Sequence, residues 1–138
     1  MSDSPGDSRN VEAAFYAAFV QRDLSAMQAI WADSPDVTCI HPGGPLLRGT
    51  ADIVRSWAEI LTNAAQPDVQ YTELQRILDG DTAIHVVEER IRPARSGTDP
   101  TRVISTNVYR RTADGWRMFM HHSSLPLVSA KKSGPSLH

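Results

Sequence analysis

The spacing of apolar residues changes once along this chain, and that change limits the folds open to it. Up to about residue 61 apolar side chains recur at helical spacing, as in Val11, Phe15 and Phe19, and from about residue 69 they alternate. A repeat of about 3.6 residues is typical of an amphipathic helix, and alternation is typical of a strand. Helices followed by strands predict an α+β domain, with the helices on one face of an antiparallel sheet.

The same patterns predict the element order ααβαββββ. A first helix covers Val11 to Phe19, a second follows Asp23, which can cap its N-terminus, and a third follows Thr50. Turn signals occur at Asp79-Gly80 and at residues 113–115. The predicted strands cover residues 37–40, 69–78, 81–92, 101–111 and 115–124.

Length and composition predict one cytoplasmic domain. The 138 residues suffice for a single core, which we expect at residues 9–127 between flexible segments at 1–8 and 128–138. A net charge of -2 gives no basic surface for nucleic acid. Cys39 is the single cysteine, no secretory leader is recognisable at the start, and no apolar run has the length of a membrane helix. We expect neither a nucleic-acid nor a membrane partner.

The last predicted strand, "WRMFMHHSS" at residues 116–124, is apolar on both sides. Since the helices cover one face of the sheet, a second copy of the chain is the economical cover for the other. The sequence therefore predicts a homodimer whose interface contains Ile104, Val108, Trp116, Met118, Met120 and His122.

The register of the final hairpin decides which of two adjacent histidines faces inward. A three-residue turn at 113–115 would place Asn107 opposite His121 and Ser105 opposite Ser123. If Asn107 faces the interior, His121 does so too, and His122 faces the outer surface. A bulge at Gly115 would exchange them.

The element order and two segments resemble a known superfamily. "AFVQRDLSAMQAIWADSPDVTCIHPGGPLLRGTADIVRSW" and "NVYRRTADGWRMFMHHSS" are similar to the nuclear-transport-factor-like proteins, and to their SnoaL-like branch in particular, over roughly residues 8–127. The resemblance implies a cystatin-like cone in which a curved sheet wraps the first helix and leaves a pocket. It also implies dimerisation through the outer sheet face.

Two relatives within the superfamily suggest roles for individual residues. Resemblance to the ketosteroid isomerases places His41 at the position of the catalytic base and Asn107 at that of a hydrogen-bond donor. It places Phe15 where those enzymes have a tyrosine, while Tyr16 falls on the wrong side of the helix. Loss of that donor disfavours steroid isomerisation.

Resemblance to the association domain of calcium/calmodulin-dependent kinase II places Glu89, Asn107 and Ser123 where that domain has an anion site built with arginines. That site is therefore not carried over. Both comparisons place Asn107 inside the pocket.

Each candidate residue also has a plain structural interpretation. His41 is a general base or a loop residue beside Pro42, and Asn107 is a ligand donor or an amide serving the sheet. His85 and Glu89 share one strand face and line the pocket, or Glu89 pairs at the rim with Arg111 or Arg117. The predicted pocket residues are Phe15, Trp31, His41, Trp57, His85, Glu89, Asn107, Tyr109, Phe119, His121 and Ser123.

The sequence lacks the residue patterns of a metal site, a serine nucleophile and a phosphate-binding loop. His121 and His122 point to opposite sides of a strand, and no chelating spacing occurs, so we expect no metal. No serine lies in a nucleophile elbow, and "PGGP" does not lead from a strand into a helix as a phosphate loop does, so we expect no cofactor.

The sequence thus predicts a homodimeric domain whose conical pocket binds a small, largely apolar molecule. One alternative is an isomerase or cyclase that uses His41 and Asn107 for acid–base chemistry on a small carbonyl compound. The other is an association domain whose role is oligomerisation.

Overall fold

A computed structural model describes residues 7–63, 68–92 and 99–126. Most of the predicted N-terminal segment and the whole predicted C-terminal tail lie outside these residues. No helix in the described part is long and apolar enough to span a membrane. The elements are α1 (Ser8–Gln21), α2 (Leu24–Ile30), β1 (Thr38–Ile40), β2 (Leu47–Arg48), α3 (Thr50–Asn63), β3 (Asp68–Asp79), β4 (Thr82–Arg92), β5 (Thr101–Thr112) and β6 (Gly115–Ser124).

The strands form one six-stranded sheet in the order β2-β1-β6-β5-β4-β3. The predicted α+β class is confirmed, with two differences. A two-residue strand, β2, pairs with β1, and β1 runs parallel to β6, which makes the sheet mixed rather than antiparallel. β1 and β6 are far apart in the chain, so no hairpin fixes their relative direction.

The helices cover one face of the sheet, called the inner face here. On α1, Phe15, Tyr16 and Ala18 are buried, and α3 contributes Ile53 and Trp57 to the same core. The predicted cap of α2 is confirmed, because the Asp23 side chain accepts a hydrogen bond from the Ala26 amide at 3.1 Å. Such a cap satisfies one of the amides that a helix start leaves without a partner.

The final hairpin has a shorter turn than predicted and one bulge. Thr112 pairs with Gly115, so only residues 113 and 114 form the turn. The register then shifts between Val108 and Tyr109, where Phe119 is the extra residue of β6. Beyond this bulge Asn107 pairs with His121 and Ser105 with Ser123, as predicted.

Because of the bulge, three of the predicted site residues lie at other positions than predicted. Between the turn and Phe119, the inward-facing residues of β6 are Trp116 and Met118, which are 7% and 0% exposed. They belong to the core and not to an outer interface. Phe119 is the bulged residue itself: it is partly buried against the core, and the Arg110 guanidinium lies over its ring at 4.8 Å. One extra residue exchanges the two faces of a strand.

Candidate functional site

Polar side chains fill the middle of the inner face. Eight of them are at most 2% exposed, although groups of these types are usually solvated. Burying a polar group without a partner costs about 1–3 kcal/mol, so such a set requires mutual hydrogen bonds. The eight are Ser8, Glu12, His85, Glu89, Ser105, Asn107, His121 and Ser123.

Tyr16 on α1 joins two strands of the sheet through its hydroxyl. Tyr16 Oη donates to Glu89 Oε2 at 2.5 Å and accepts from Asn107 Nδ2 at 3.1 Å. The other end of the same amide, Asn107 Oδ1, lies 2.6 Å from His121 Nδ1.

Two serines complete the circuit from His121 back to Glu89. Ser123 Oγ lies 3.0 Å from His121 Nε2 and 2.7 Å from Ser105 Oγ. Ser105 Oγ in turn lies 2.9 Å from Glu89 Oε2. We call this closed cycle the polar ring; its members are Tyr16, Glu89, Ser105, Ser123, His121 and Asn107.

Glu12 on α1 anchors a second group next to the polar ring. Its Oε2 accepts from Tyr109 Oη at 2.9 Å and from Asn107 Nδ2 at 3.2 Å. Its Oε1 lies 3.0 Å from His85 Nδ1, although the contact lacks hydrogen-bond geometry. His85 Nε2 lies 2.9 Å from Ser8 Oγ. These contacts connect the start of α1 to β4 and β5.

Glu12 and His85 of this group, together with Glu73, form the one cluster in the described residues that has the composition of a metal site. Ligand atoms of Glu12, Glu73 and His85 all lie within 4.8 Å of one another. They come from α1, β3 and β4, which is why a search for local spacing did not find them. Arg9 already pairs with both Glu73 oxygens, at 3.2 and 3.1 Å, so a cation would have to displace that guanidinium. The absence of a metal stays a prediction.

The structure gives Asn107 a different role from the predicted one. Both of its amide contacts through Nδ2 go to Glu12 and Tyr16, and its Oδ1 faces His121. Its donors are used within the protein and are not left for a ligand. Asn107 is therefore a junction between the polar ring and Glu12 on α1, whereas the structural alternative had its amide serving the sheet.

Burial shifts the pKa values of the ionisable members toward their neutral forms. Burial raises the pKa of Glu89, while its contacts with the Tyr16 and Ser105 hydroxyls oppose that change. Burial also raises the pKa of Tyr16 well above its usual value. It lowers the pKa of His121 to about 3, with smaller contributions from His41 and His122. Desolvation always penalises the charged form.

His41 differs from these groups because it is only half-buried, at the end of β1. Its Nε2 lies 2.9 Å from Ser56 Oγ on α3, and the Ser56 hydroxyl donates its proton to Ile53 O at 2.7 Å. A hydroxyl has one proton, and Ser56 uses it on Ile53 O, so His41 donates through Nε2–H. Cys39 Sγ, 3.7 Å from the same Nε2, is then a weak second acceptor. Neutral His41 therefore keeps its Nδ1 lone pair for another proton. Burial lowers the pKa of His41, which favours this neutral form.

Aromatic residues surround His41 on its inner side. The Trp57 ring packs edge-on against it with centroids 4.9 Å apart, and the His121 ring is 6.5 Å away. Among the described residues, the buried Trp57 Nε1–H has no hydrogen-bond partner. Burial raises the pKa of the neighbouring Cys39 thiol to about 12, so this group stays protonated.

The remaining predicted pocket residues lie on the inner face, but most contact each other. Phe15 packs against Trp57 and His121, at 5.5 and 4.9 Å between centroids. The main chain of Trp31 forms a parallel β-bridge with that of Met118, and both side chains belong to the core. The predicted rim pairing of Glu89 is wrong, because Arg111 pairs with Asp81 and Arg117 bonds a main-chain carbonyl.

Sequence reasoning missed three site residues on α1. Ser8, Glu12 and Tyr16 are all buried, and they follow one another at intervals of four residues, a spacing that puts them on one helix face. That spacing was the available signal, but the prediction assigned the buried face of α1 to the neighbouring apolar residues instead. Tyr16 was placed on the wrong side, whereas both Phe15 and Tyr16 are buried.

Comparison with known proteins agrees with this architecture. The fold is that of the nuclear-transport-factor-like, or cystatin-like, class; a cystatin-like domain from Nostoc punctiforme superposes with a TM-score of 0.77 at 13% identity over 95% of this chain and 83% of that one. The SnoaL-like domain family matches residues 9–128. The chain belongs to the SnoaL-like domain family.

Two solved structures are similar in both sequence and fold. A protein from Thiobacillus denitrificans, provisionally assigned as a calcium/calmodulin-dependent protein kinase type II association domain, is 36% identical with a TM-score of 0.83, over 91% of this chain and 99% of that one. A provisionally assigned dehydratase of the NTF2-like family from Streptomyces avermitilis is 33% identical with a TM-score of 0.78, over 86% of this chain and 92% of that one.

A curated plant protein contains a similar segment. The F-box protein SKIP8 of Arabidopsis thaliana is 28% identical in an alignment of 127 residues that covers 86% of this chain and 49% of the plant protein. The chain therefore spans about half the length of this curated relative.

Proposed function

We propose that this domain binds a small carbonyl compound beside His41 and Trp57, and that His41 acts there as a general base. The observation that carries the proposal is the Ser56 contact, which leaves the Nδ1 lone pair of a neutral, half-buried imidazole as a proton acceptor. A neutral imidazole whose pKa is lowered by burial is available to remove a proton next to a carbonyl.

The dehydratase assignment of the Streptomyces avermitilis relative supports this class of chemistry. Removal of a proton next to a carbonyl is the first half of a dehydration and also of an isomerisation. The Trp57 Nε1–H is an unused donor in a residue that touches His41. A ligand oxygen that accepted this hydrogen bond would remove the cost of a buried donor without a partner. This donor takes the part first predicted for Asn107.

Proton exchange tests the proposal without knowledge of the complete reaction. We would incubate the protein in D2O with a panel of small ketones and β-hydroxy carbonyl compounds and follow loss of the α-proton signals by NMR. His41→Gln should slow the exchange that the protein catalyses by about 100- to 10,000-fold, the usual contribution of a general base. His122→Gln, at an exposed position of the neighbouring strand, should leave it unchanged. Equal exchange by wild-type protein and His41→Gln would exclude His41 as the base.

A second proposed property is self-association through the outer face of the sheet. Ile77 pairs with Ile84, Ile84 with Val108, and Val108 with Met120, so one apolar row crosses four strands. Ile77 is 47% exposed in the isolated chain. Such a row on a sheet face supports contact with another apolar surface. The association-domain assignment of the Thiobacillus denitrificans relative favours a second copy of this chain.

Light scattering tests this second property. Wild-type protein should have the mass of a dimer. Val108→Lys should have the mass of one chain and still unfold cooperatively, at a lower midpoint because association no longer stabilises the native state. Gln70→Lys, at an exposed position on β3 outside the apolar row, should remain dimeric. A single-chain mass for the wild-type protein at all concentrations would contradict self-association.

A further inference from the structure

The directions of the hydrogen bonds in the polar ring are not independent of one another. Each hydroxyl has a single proton to donate, and a neutral imidazole has one nitrogen with a proton and one without. The Asn107 amide is oriented by its other contacts, since Nδ2 faces the acceptors Glu12 Oε2 and Tyr16 Oη. Asn107 Oδ1 is therefore the atom that faces His121 Nδ1 at 2.6 Å, and it can only accept.

This orientation determines the proton positions on His121 and the two serines. His121 Nδ1 must carry a proton to donate to Asn107 Oδ1, so neutral His121 has a bare Nε2. Nε2 then accepts from the Ser123 hydroxyl at 3.0 Å. Because Ser123 has used its proton, the 2.7 Å contact requires Ser105 to donate to Ser123.

The chain of donors ends at Glu89. Ser105 has used its proton on Ser123, yet its oxygen lies 2.9 Å from Glu89 Oε2. Two acceptors at that distance repel each other unless the carboxyl group carries the proton. With Glu89 protonated on Oε2, every contact has one donor and one acceptor, and Tyr16 completes the cycle by donating to the same oxygen at 2.5 Å. An ionised Glu89 requires a cationic His121 to avoid a clash of acceptors at Asn107 Oδ1.

We propose that Glu89 is held as a neutral carboxylic acid, and that Ser105 and Ser123 form a proton relay from it to His121. In the transfer, Glu89 gives its proton to Ser105, Ser105 gives its own to Ser123, and Ser123 gives its own to His121 Nε2. Three O–H bonds break, and two O–H bonds and one N–H bond form. The products are a carboxylate at Glu89 and an imidazolium at His121, with no net change of charge.

The environment of the polar ring favours the neutral arrangement at rest. The pKa of His121 is lowered to about 3, whereas that of Glu89 is raised above its ordinary value, so the proton belongs on Glu89. The groups that face the polar ring are Glu12 and Tyr109 through Asn107, Tyr71 stacked on Tyr16 at 4.2 Å, and His41 at 6.5 Å from His121. The relay lets His121 become cationic next to His41 without taking a proton from solvent. It does not depend on the role proposed for His41.

Infrared and NMR spectroscopy of the whole protein at neutral pH test the relay. A protonated carboxylic acid has a C=O stretching band that a carboxylate lacks. We expect this band in the wild-type protein, its loss in Glu89→Gln, and its retention in Glu88→Gln, the matched control on the same strand, whose carboxylate pairs with Arg102 at 2.6 Å. Long-range ¹H–¹⁵N spectra of the wild-type protein should show the His121 proton on Nδ1 alone.

Three results would each overturn the proposal: no acid band at neutral pH, an acid band that persists in Glu89→Gln, or a His121 that carries its proton on Nε2. The NMR measurement needs no substitution, so it decides the matter even where Glu89→Gln does not fold. Ser123→Ala gives a further check, because it interrupts the relay. Ser105 then turns its proton to Glu89, and the acid band should disappear at a lower pH than in the wild-type protein.

Discussion

At the scale of single residues, two histidines on neighbouring parallel strands have opposite roles. His121 uses both ring nitrogens inside the polar ring. His41 uses only Nε2, and Ser56 determines which nitrogen that is. The two rings share the Trp57 side chain, with centroids 4.9 and 6.0 Å from it. The hydrogen bonds of a histidine, more than its burial, decide whether it is available for chemistry.

In Ser56→Ala the ring proton of His41 should no longer be fixed on Nε2. The variant loses the Oγ that accepts from Nε2–H, so the ring proton distributes over both nitrogens, and any base activity at Nδ1 falls by a small factor. We expect a loss of about 1 kcal/mol in the free energy of unfolding, the usual value for one hydrogen bond. Urea unfolding and ¹⁵N shifts measure the two effects.

Ser124→Ala is the matched control for this change, because the exposed Ser124 hydroxyl makes one long contact of 3.5 Å to a carbonyl. It should alter neither the stability nor the His41 spectrum. A His41 whose proton stays entirely on Nε2 in Ser56→Ala would show that Ser56 does not select the tautomer.

The sequence predicted part of the site. The resemblance to relatives placed Glu89 and Asn107 inside, and the predicted register placed His121 and Ser123 on the same face; the structure has all four on the inner face. Their hydrogen bonds did not follow, because those bonds depend on Glu12 and Tyr16 of α1, more than 70 positions away from Glu89 in the case of Tyr16. Contacts over such separations are determined by packing and not by local pattern.

At the scale of elements, one bulge in β6 decides which side chains form the core. The sequence correctly predicted the pairing of Asn107 with His121 and of Ser105 with Ser123. It assigned Trp116 and Met118 to the wrong face. A two-residue turn followed by one extra residue and a three-residue turn without a bulge give the same pairing at Asn107 and His121. They differ only between the turn and the bulge, so the pattern of residues 120–124 could not separate them.

Deletion of Phe119 should remove the bulge and leave the polar ring intact. Met118 would still pair with Tyr109, and Met120 would directly follow it opposite Val108, so both faces keep their residues. The expected losses are the contact with Arg110, worth about 0.5–1 kcal/mol at an exposed site, and the packing of the partly buried ring against the core. Urea unfolding and the His121 spectrum test this expectation.

Deletion of His122 is the contrasting change. It would turn Ser123 to the outer face and break its bond with Ser105, so it should cost several times more stability than deletion of Phe119. Equal losses from the two deletions would mean that Phe119 is not an expendable bulge residue.

Met118→Ala separates a core position from an interface position. A fully buried methionine replaced by alanine should lose about 2–5 kcal/mol of unfolding free energy, and the loss should not depend on protein concentration. Met120→Ala, on the outer face, should cost less in the isolated chain. If Met118→Ala changed only the oligomeric mass, the original interface prediction for this residue would be correct after all.

At the scale of the whole molecule, the buried ionisable groups connect stability to pH. The pKa of His121 is about 3 in the folded chain and about 6.5 when unfolded. Between these values only the unfolded chain binds the proton, so stability falls as the pH decreases from about 6.5 to about 3. The raised pKa of Glu89 acts in the opposite direction. Its contribution is complete below about pH 4.5 and is lost as the pH rises through the folded-state pKa.

Where the two slopes overlap, above about pH 4.5, they oppose each other, so acidification should cost less stability there than below pH 4.5. In Glu89→Gln, of these two effects on stability, only the one from the lowered pKa of His121 remains. That variant should lose stability on acidification already from about pH 6.5, at up to about 1.4 kcal/mol per pH unit from His121. Urea unfolding across this range measures both curves. Parallel curves for the two proteins would contradict a raised pKa at Glu89.

The account as a whole depends on the different states of His41 and His121 within one interior. A long-range ¹H–¹⁵N spectrum of the uniformly labelled protein, recorded through a pH titration, tests this most directly. We predict that His41 carries its proton on Nε2 and titrates below the usual histidine pKa, and that His121 carries its proton on Nδ1 and remains neutral down to about pH 3. A cationic His121 at neutral pH, or a His41 protonated on Nδ1, would contradict it.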